Sequence, residues 1–330
     1  LVRSLGSEMC IRDSFSYSNI AYNVLGDLLA KVTAQSFENT MQERVLNLSG
    51  MPHSTFEPKD IPTHLLAWPH LRSPDMKVNP SYPYHRADAP ASSLHSTVVD
   101  MCHWCITSLK RGNYLGHSIL SAAGYDLMWT PVAKRGNPPN LFEEMGLGWT
   151  LGHFKGVKTI CHGGAGFGAT SFLLILPENN SAAILMCNEE SDAHYVGIQA
   201  VADVLIGQQP QANKISGMVP VSRLLAEGGL DAAYSLCSEL KAGGLQDYYF
   251  DEYTLNSLAL QLQMAKQLDL AIEVLGLNIH FHPDHIESYL EQAKIYLQRD
   301  ALAQAKEVLL KALSIEPDNA TAASLLEMNK

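Results

Sequence analysis

The sequence predicts an α+β protein: an antiparallel sheet with flanking helices and a helical subdomain, followed by an all-α repeat domain. Three observations carry this. Phe172–Leu176 and Ala182–Met186 are apolar runs of strand length, stopped by Pro177 and Asn188 and split only by Pro-Glu-Asn-Asn-Ser. So short a connection suits neighbouring antiparallel strands and excludes a parallel crossover. Ahead of them, Ile20, Val24, Leu28 and Val32 fall four apart, as on one face of a helix. Beyond about residue 208 the segments all have helical spacing, and a period of 34 residues emerges.

Composition narrows the function classes. A chain of 330 residues has room for two domains. Net charge −11 without a basic run argues against nucleic acid as a partner. The sequence holds no apolar stretch approaching the roughly 18 residues of a membrane span, and its start lacks the basic and apolar parts of a signal peptide. Six scattered cysteines do not form a disulfide scaffold. Cys102 and Cys105 flank His103 on a helical pattern with no second ligand pair nearby, so core packing is expected and no metal or other cofactor is implied.

Residues 1–14 read differently from the rest. Gly6-Ser-Glu-Met-Cys-Ile-Arg-Asp13 resembles the translation of a sequencing adapter, so this segment is set aside as non-native and the true N-terminus is expected to be missing. Helices are then expected near 20–33 and 36–46. Eight of the sixteen prolines lie between Pro52 and Pro90, which predicts a long ordered loop. A helix through about Lys110 follows, with Ser96 or Thr97 as N-cap and Asp100 in its first turn, and then another near 119–129. Gly146–Leu151 alternates and is expected to open the sheet, and Tyr195–Ile206 to pack across it. The polar stretch 207–214 marks the boundary, giving domains at 15–207 and 208–330. In the second, Ala259, Ala271, Leu275 and Pro283 recur as Ala293, Ala305, Leu309 and Pro317. This resembles the tetratricopeptide repeat, although Leu262 stands at its aromatic position and its usual Trp is absent. The stretches 219–245 and 320–328 look like flanking or capping helices.

The candidate chemistry gathers around Thr159-Ile-Cys-His-Gly-Gly-Ala-Gly-Phe-Gly. A polar residue followed by Gly163 and Gly164 on a strand suits one wall of a cleft, since glycine lets a ligand approach the backbone. Read alone, it is also a plain glycine-rich hairpin. Together with Tyr17-Ser-Asn19, Leu48-Ser-Gly-Met-Pro52 and Ala89-Pro-Ala-Ser-Ser-Leu94, it resembles the serine β-lactamase-like family from about Phe15 to Gly207. The nearest branch is that of class C β-lactamases with their esterase, D-peptidase and penicillin-binding relatives.

The resemblance implies a serine hydrolase acting on an amide or ester through an acyl-enzyme. It makes Tyr17 the proton shuttle, Asn19 a hydrogen-bonding partner of substrate and of the catalytic Lys, and His162 the occupant of the family's cationic strand position. Gly163 and Gly164 keep the strand clear, and the Ala165 N–H forms half of an oxyanion hole. The nucleophile is not in place: Ser238-Glu-Leu-Lys241 is the sole Ser-x-x-Lys, and it follows Tyr17 and His162 instead of preceding them. It reads as a helix-surface coincidence. The expected Ser and Lys belong upstream, so this chain is expected to be inactive. The partner implied is a small-molecule or peptide substrate, with a protein partner at the repeats left open. Family habit implies periplasmic or secreted localisation. The rival reading is a non-catalytic module that binds a peptide or protein through cleft and repeats.

Overall fold

Strict alternation between two buried faces builds the sheet, and the run Phe172–Leu176 shows it best. Leu173 and Ile175 turn to one side, and Phe172, Leu174 and Leu176 to the other; none is more than 6% exposed. A strand buried on both faces reads as a continuous apolar run because neither face meets water. The computed structural model describes residues 15–72, 74–80, 84–135, 141–166, 168–190, 193–211 and 214–328. The expected adapter segment, 1–14, lies outside the described residues. The described residues fall into two compact units.

The first unit carries six strands: β1 (Ala133–Lys134), β2 (Glu144–Met145), β3 (Thr150–Phe154), β4 (Val157–Gly166), β5 (Ala169–Leu176) and β6 (Ser181–Cys187). Each pairs antiparallel with the next, so the sheet is a simple meander. The antiparallel expectation holds across 150–187. One boundary differs. Gly146–Leu151 is not strand throughout: the Gly146 N–H donates to the Trp149 carbonyl at 2.8 Å, and Gly148 has φ +76°. That closes a turn, and the strand starts at Thr150.

Helices cover both faces. On one, Leu151, Ile160, Leu173 and Ile175 pack with Cys105, Tyr125 and Trp129 from α3 (Val98–Leu109) and the end of α4 (Ala122–Met128). On the other, Phe154, Cys161, Phe172 and Leu174 meet Ile198 and Ala202 of α5 (Ala193–Leu205), the helix expected there. Thr97 caps α3, accepting from the Asp100 N–H at 3.1 Å. The Asp100 carboxylate, 1% exposed, takes the His53 N–H and the Ser54 hydroxyl at 2.7 Å each, which ties the helix to the turn at Leu48–Pro52. Of the cysteine pair only Cys105 joins the core; Cys102 is exposed, so core packing accounts for half of the motif.

Helix α1 (Asn19–Thr33) corrects a second expectation. Ile20, Val24, Leu28 and Val32, spaced to face a core, are 53% to 76% exposed. The helix docks by another side. Gly26 is its buried residue, so close under Pro90 that a Cβ there would stand 2.2 Å from the Pro90 Cγ. Asn23 donates to Asp88 Oδ1 at 2.8 Å alongside. Helix α2 (Phe37–Met41) follows and winds into a π-helical turn, Gln42–Leu46, where one continuous helix was expected.

The second unit joins 213–330 with two short pieces from elsewhere, 68–80 and 189–192. Its helices are α6 (Met218–Lys241), broken at Gly229, then α7 (Glu252–Met264), α8 (Leu268–Phe281), α9 (Ile286–Gln298), α10 (Leu302–Ile315) and α11 (Ala320–Met328). The starts of α7, α9 and α11, at 252, 286 and 320, keep the spacing of 34, as do those of α8 and α10, at 268 and 302. Ala259, Ala271, Ala293 and Ala305 are wholly buried, the small contacts that let paired helices approach. The proline-rich loop contributes a β-hairpin, His70–Arg72 with Met76–Val78. Gln261 of α7, 1% exposed, accepts the Arg72 N–H at 2.9 Å and donates to the Glu190 carbonyl at 2.8 Å. Arg72 also pairs with Glu189.

Candidate active site

Strand β4 outruns its neighbour. Its pairing with β3 ends at Cys161 opposite Thr150, while its pairing with β5 continues to Gly166 opposite Ala169. From His162 to Gly166 the β3 side therefore carries no ladder partner among the described residues, which leaves main-chain groups such as the Ala165 N–H outside the sheet's own pairing. The residues on this free edge are exposed or half-exposed. Gly163, Gly164 and Ala165 form its middle.

Register sets the faces. His162 pairs with Leu173 and Gly164 with Ser171, so these four share the face covered by α3 and α4. A Cβ on Gly164 would lie 2.9 Å from the Ser171 hydroxyl oxygen.

His162 is exposed overall, yet the protein around its ring strips enough water to lower its pKa from the usual value. The hydrogen bond to the Gly163 carbonyl opposes this shift, and the nearby Arg135 charge adds to it. His162 Nδ1 is 2.7 Å from the Gly163 carbonyl oxygen. A carbonyl only accepts, so Nδ1 carries the proton and Nε2 of the neutral ring offers a lone pair. The direction of this shift favours the neutral ring, with Nε2 as an acceptor.

Tyr17 and Asn19 stand at the entrance to α1. Ser18 caps the helix, its hydroxyl accepting the Ala21 N–H at 3.2 Å, which leaves Asn19 as the first helical residue. Both Tyr17 and Asn19 are exposed, and among the described residues no hydrogen bond joins either to His162. Two contacts nevertheless bring the start of α1 to the end of β3 nearest His162. The Tyr22 hydroxyl fits against Gly148, where a Cβ would lie 3.1 Å from it. The Phe15 ring centre is 5.7 Å from the Arg135 guanidinium, whose Nη1 donates to Thr150 Oγ1 at 2.8 Å. Thr150 is the residue across from Cys161. Burial raises the Tyr22 pKa, with Tyr17 as the second cause.

Arg135 is the residue that sequence reading missed. It lies just after β1, where only its charge marked it. Three buried thiols and Ser238 are poor nucleophile candidates. Burial pushes the Cys105, Cys161 and Cys237 thiols up to about 12. Ser238 lies in α6 of the second unit and donates to its own helix, at the Tyr234 carbonyl 2.9 Å away. No cluster of metal-binding side chains occurs among the described residues.

Comparison with known proteins agrees with this architecture. Residues 11–208 match the family model described as Beta-lactamase. Penicillin-binding protein 4 of Amycolatopsis lactamdurans is 26% identical over 178 residues, covering 52% of this chain and 47% of that protein. Protein flp of Staphylococcus aureus is 22% identical over 180 residues, covering 54% and 34%. The chain therefore spans about half, or less, of the length of these curated relatives. Among solved structures, the octameric penicillin-binding protein homologue of Pyrococcus abyssi superposes with TM-score 0.52 at 21% identity, over 66% of this chain and 48% of that one. The D-amino acid amidase of Ochrobactrum anthropi SV3 superposes with TM-score 0.50 at 18% identity, over 58% and 56%. At such identities these two likenesses bear on the fold.

Proposed function

Because the chain belongs to the Beta-lactamase family of serine hydrolases, we propose that its first unit is the sheet side of a cleft that hydrolyses an amide or ester through an acyl-enzyme. The observation that carries this reading is the free, glycine-lined edge His162–Gly166 on the helix-covered face of the sheet. A substrate laid along that edge meets main-chain donors as an added strand would. Its carbonyl then comes within reach of the Ala165 N–H, a fixed donor for the oxyanion of the tetrahedral intermediate.

In the proposed reaction a serine hydroxyl attacks the carbonyl and Tyr17 takes its proton. The same proton passes to the leaving amine or alcohol, and water then releases the acyl group. Asn19, one helical residue on, orients the substrate amide. His162, neutral with Nε2 free, accepts a hydrogen bond from the substrate or from Tyr17. This is a different service from the charge of a lysine, and it favours esters and peptides over β-lactams as substrates.

The serine and lysine of this scheme are assigned to a segment outside these 330 residues. Two observations support that. In the single Ser-x-x-Lys, Ser238–Lys241, the serine hydroxyl is engaged within its own helix. The apolar side of α1 carries Ile20, Val24, Leu28 and Val32 exposed, as a surface awaiting another layer does. The test is covalent labelling. The 330-residue chain is expected to take up neither a fluorescent penicillin nor a fluorophosphonate, whereas the parent protein restored upstream to include Ser-x-x-Lys labels stoichiometrically and hydrolyses ester. Labelling of the chain as it stands would overturn the assignment.

A further inference from the structure

One cation beside the free edge has no carboxylate of its own. Arg72, Arg86, Arg111 and Arg299 each pair with an Asp or Glu. Arg135 pairs with none among the described residues. Its Nη1 donates to Thr150 Oγ1 at 2.8 Å and reaches the Met145 sulfur at 3.7 Å. The Phe142 and Phe15 rings are centred 5.0 and 5.7 Å from the guanidinium. Two rings and a buried threonine thus fix where the charge stands. These contacts engage Nη1 alone in hydrogen bonds, so Nε and Nη2 of this exposed side chain keep their donors. Glu143, whose carbonyl accepts the Arg135 N–H at 2.8 Å, has its carboxylate 3.0 Å from His153 Nδ1 and is engaged elsewhere.

The place of that charge relative to the edge follows from register. Nη1 hangs on Thr150, the residue at which the pairing of β3 with β4 ends, opposite Cys161. The next residue of β4 is His162, where the free edge begins. A strand rises about 3.3 Å per residue. A ligand group opposite His162 therefore lies about one such step from Thr150, within reach of the guanidinium held there. The charge of Arg135 is felt at both Cys161 and His162, in keeping with this position. Thr150 shares the face of Cys161, whereas His162 turns to the other, so the guanidinium does not crowd the His162 ring.

A planar fork of free donors, preset beside a row of open main-chain groups, complements a carboxylate above other groups. We propose that Arg135 sets the charge preference of the cleft by taking the carboxylate of an acidic peptide or ester that lies along His162–Gly166. This rests on the edge being the place of the substrate, as in the hydrolase reading above. It assigns the cation of the site to the end of β3 instead of to strand position 162.

The experiment titrates the 330-residue chain, labelled with ¹⁵N in arginine and alanine, with N-benzoylglycine and with neutral N-benzoylglycinamide at low salt, followed by NMR. The Arg135 Nε–H signal is identified by its loss in Arg135→Gln. N-benzoylglycine is expected to move the Arg135 Nε–H and Ala165 N–H signals together. It should bind about tenfold more tightly than the amide, the range of a charge-assisted pair. Arg135→Gln is expected to bind the two ligands alike, and Arg135→Lys to keep part of the preference, as a point charge in place of a fork. Both variants are compared at matched circular dichroism, and the titration of the unaltered chain decides even where a variant does not fold. If Ala165 moves with both ligands while Arg135 stays still, the proposal falls and the edge remains the substrate's place. If neither signal moves, both fall. Equal affinity for the two ligands, movement of Arg135 without Ala165, or a preference that survives in Arg135→Gln would each overturn the proposal.

Discussion

Gly26 and Pro90 interlock: a single added Cβ on Gly26 would stand 2.2 Å from the Pro90 Cγ and 2.6 Å from its Cβ. Pro90 cannot turn aside, because its ring is part of the backbone. Gly26→Ala is therefore expected to lever α1 away from the short helical turn Ala89–Ser92. The cost is about 1–3 kcal/mol, as for overpacking elsewhere. Amide exchange should show α1 losing protection while β4 and β5 keep theirs. Unchanged protection of α1 would contradict this packing.

Gly164 and Ser171 meet in a softer way. A Cβ at 2.9 Å from the Ser171 hydroxyl is relieved by rotating that hydroxyl. Gly164→Ala should therefore change the melting temperature little, yet place a methyl on the face of the free edge. In the upstream-restored protein it is expected to raise KM with little change in kcat, and Gly164→Val to do so more strongly. Removing Ser171 as well, in Gly164→Ala/Ser171→Ala, relieves the contact but not the obstruction, so the KM defect persists.

The buried carboxylate of Asp100 accepts from two donors, the His53 N–H and the hydroxyl of the buried Ser54. Asp100→Ala leaves the His53 N–H and the Ser54 hydroxyl short of an acceptor and is expected to cost about 1–3 kcal/mol. Ser54→Ala should cost less, because it removes one donor and leaves Asp100 still bonded to the His53 N–H. Chemical denaturation midpoints separate the two.

Acid should loosen both units. The pKa values of His95 and His162 in the first unit, and of His282 and His285 in the second, are lowered, with loss of solvation the leading cause in each. The unfolded chain, with histidines near 6.5, then binds more protons than the folded one. Stability is full above about pH 6.5 and falls as the pH drops through the lowered values. Melting temperatures measured from pH 7.5 to 5.0 are expected to decline, and His285→Gln or His162→Gln to flatten part of the decline. A profile rising toward acid would refute the sign.

Turnover in the restored protein tests Tyr17 directly. Tyr17→Phe is expected to cut kcat by about 10²–10⁴, the usual worth of a positioned general base. Affinity for an unreactive substrate analogue should stay the same, since the ring remains.

What could be read from the sequence was whatever depends on local pattern. Phe172–Leu176 declared itself as a strand because both its faces are buried, and Ala259, Ala271, Ala293 and Ala305 declared the helix pairs by their spacing. The side of α1 that would pack could not be read, because apolar spacing predicts a buried face only where something covers it. Gly26, not the Ile20–Val32 stripe, marks the contact, and it does so through a proline 64 positions away. At the site, His162 and its glycines were legible as residues, but the ionisation of the ring was not. It follows from the surrounding protein and Arg135, against the pull of the Gly163 carbonyl, and none of these is a motif. Residues 68–80 offered prolines and no sign that their partner would be Gln261.

That last partnership sets an order of events during synthesis. The Arg72 N–H and its acceptor on Gln261 are 189 residues apart. At ribosomal rates of about 5–20 residues per second, the hairpin emerges roughly 10–40 s before the helix that holds it. Through that interval the first unit can fold around its sheet while the hairpin and the strip at Glu189–Glu190 dangle from it unclaimed. A chain released before α7 is complete has no Gln261 side chain to hold the Arg72 N–H and the Glu190 carbonyl together.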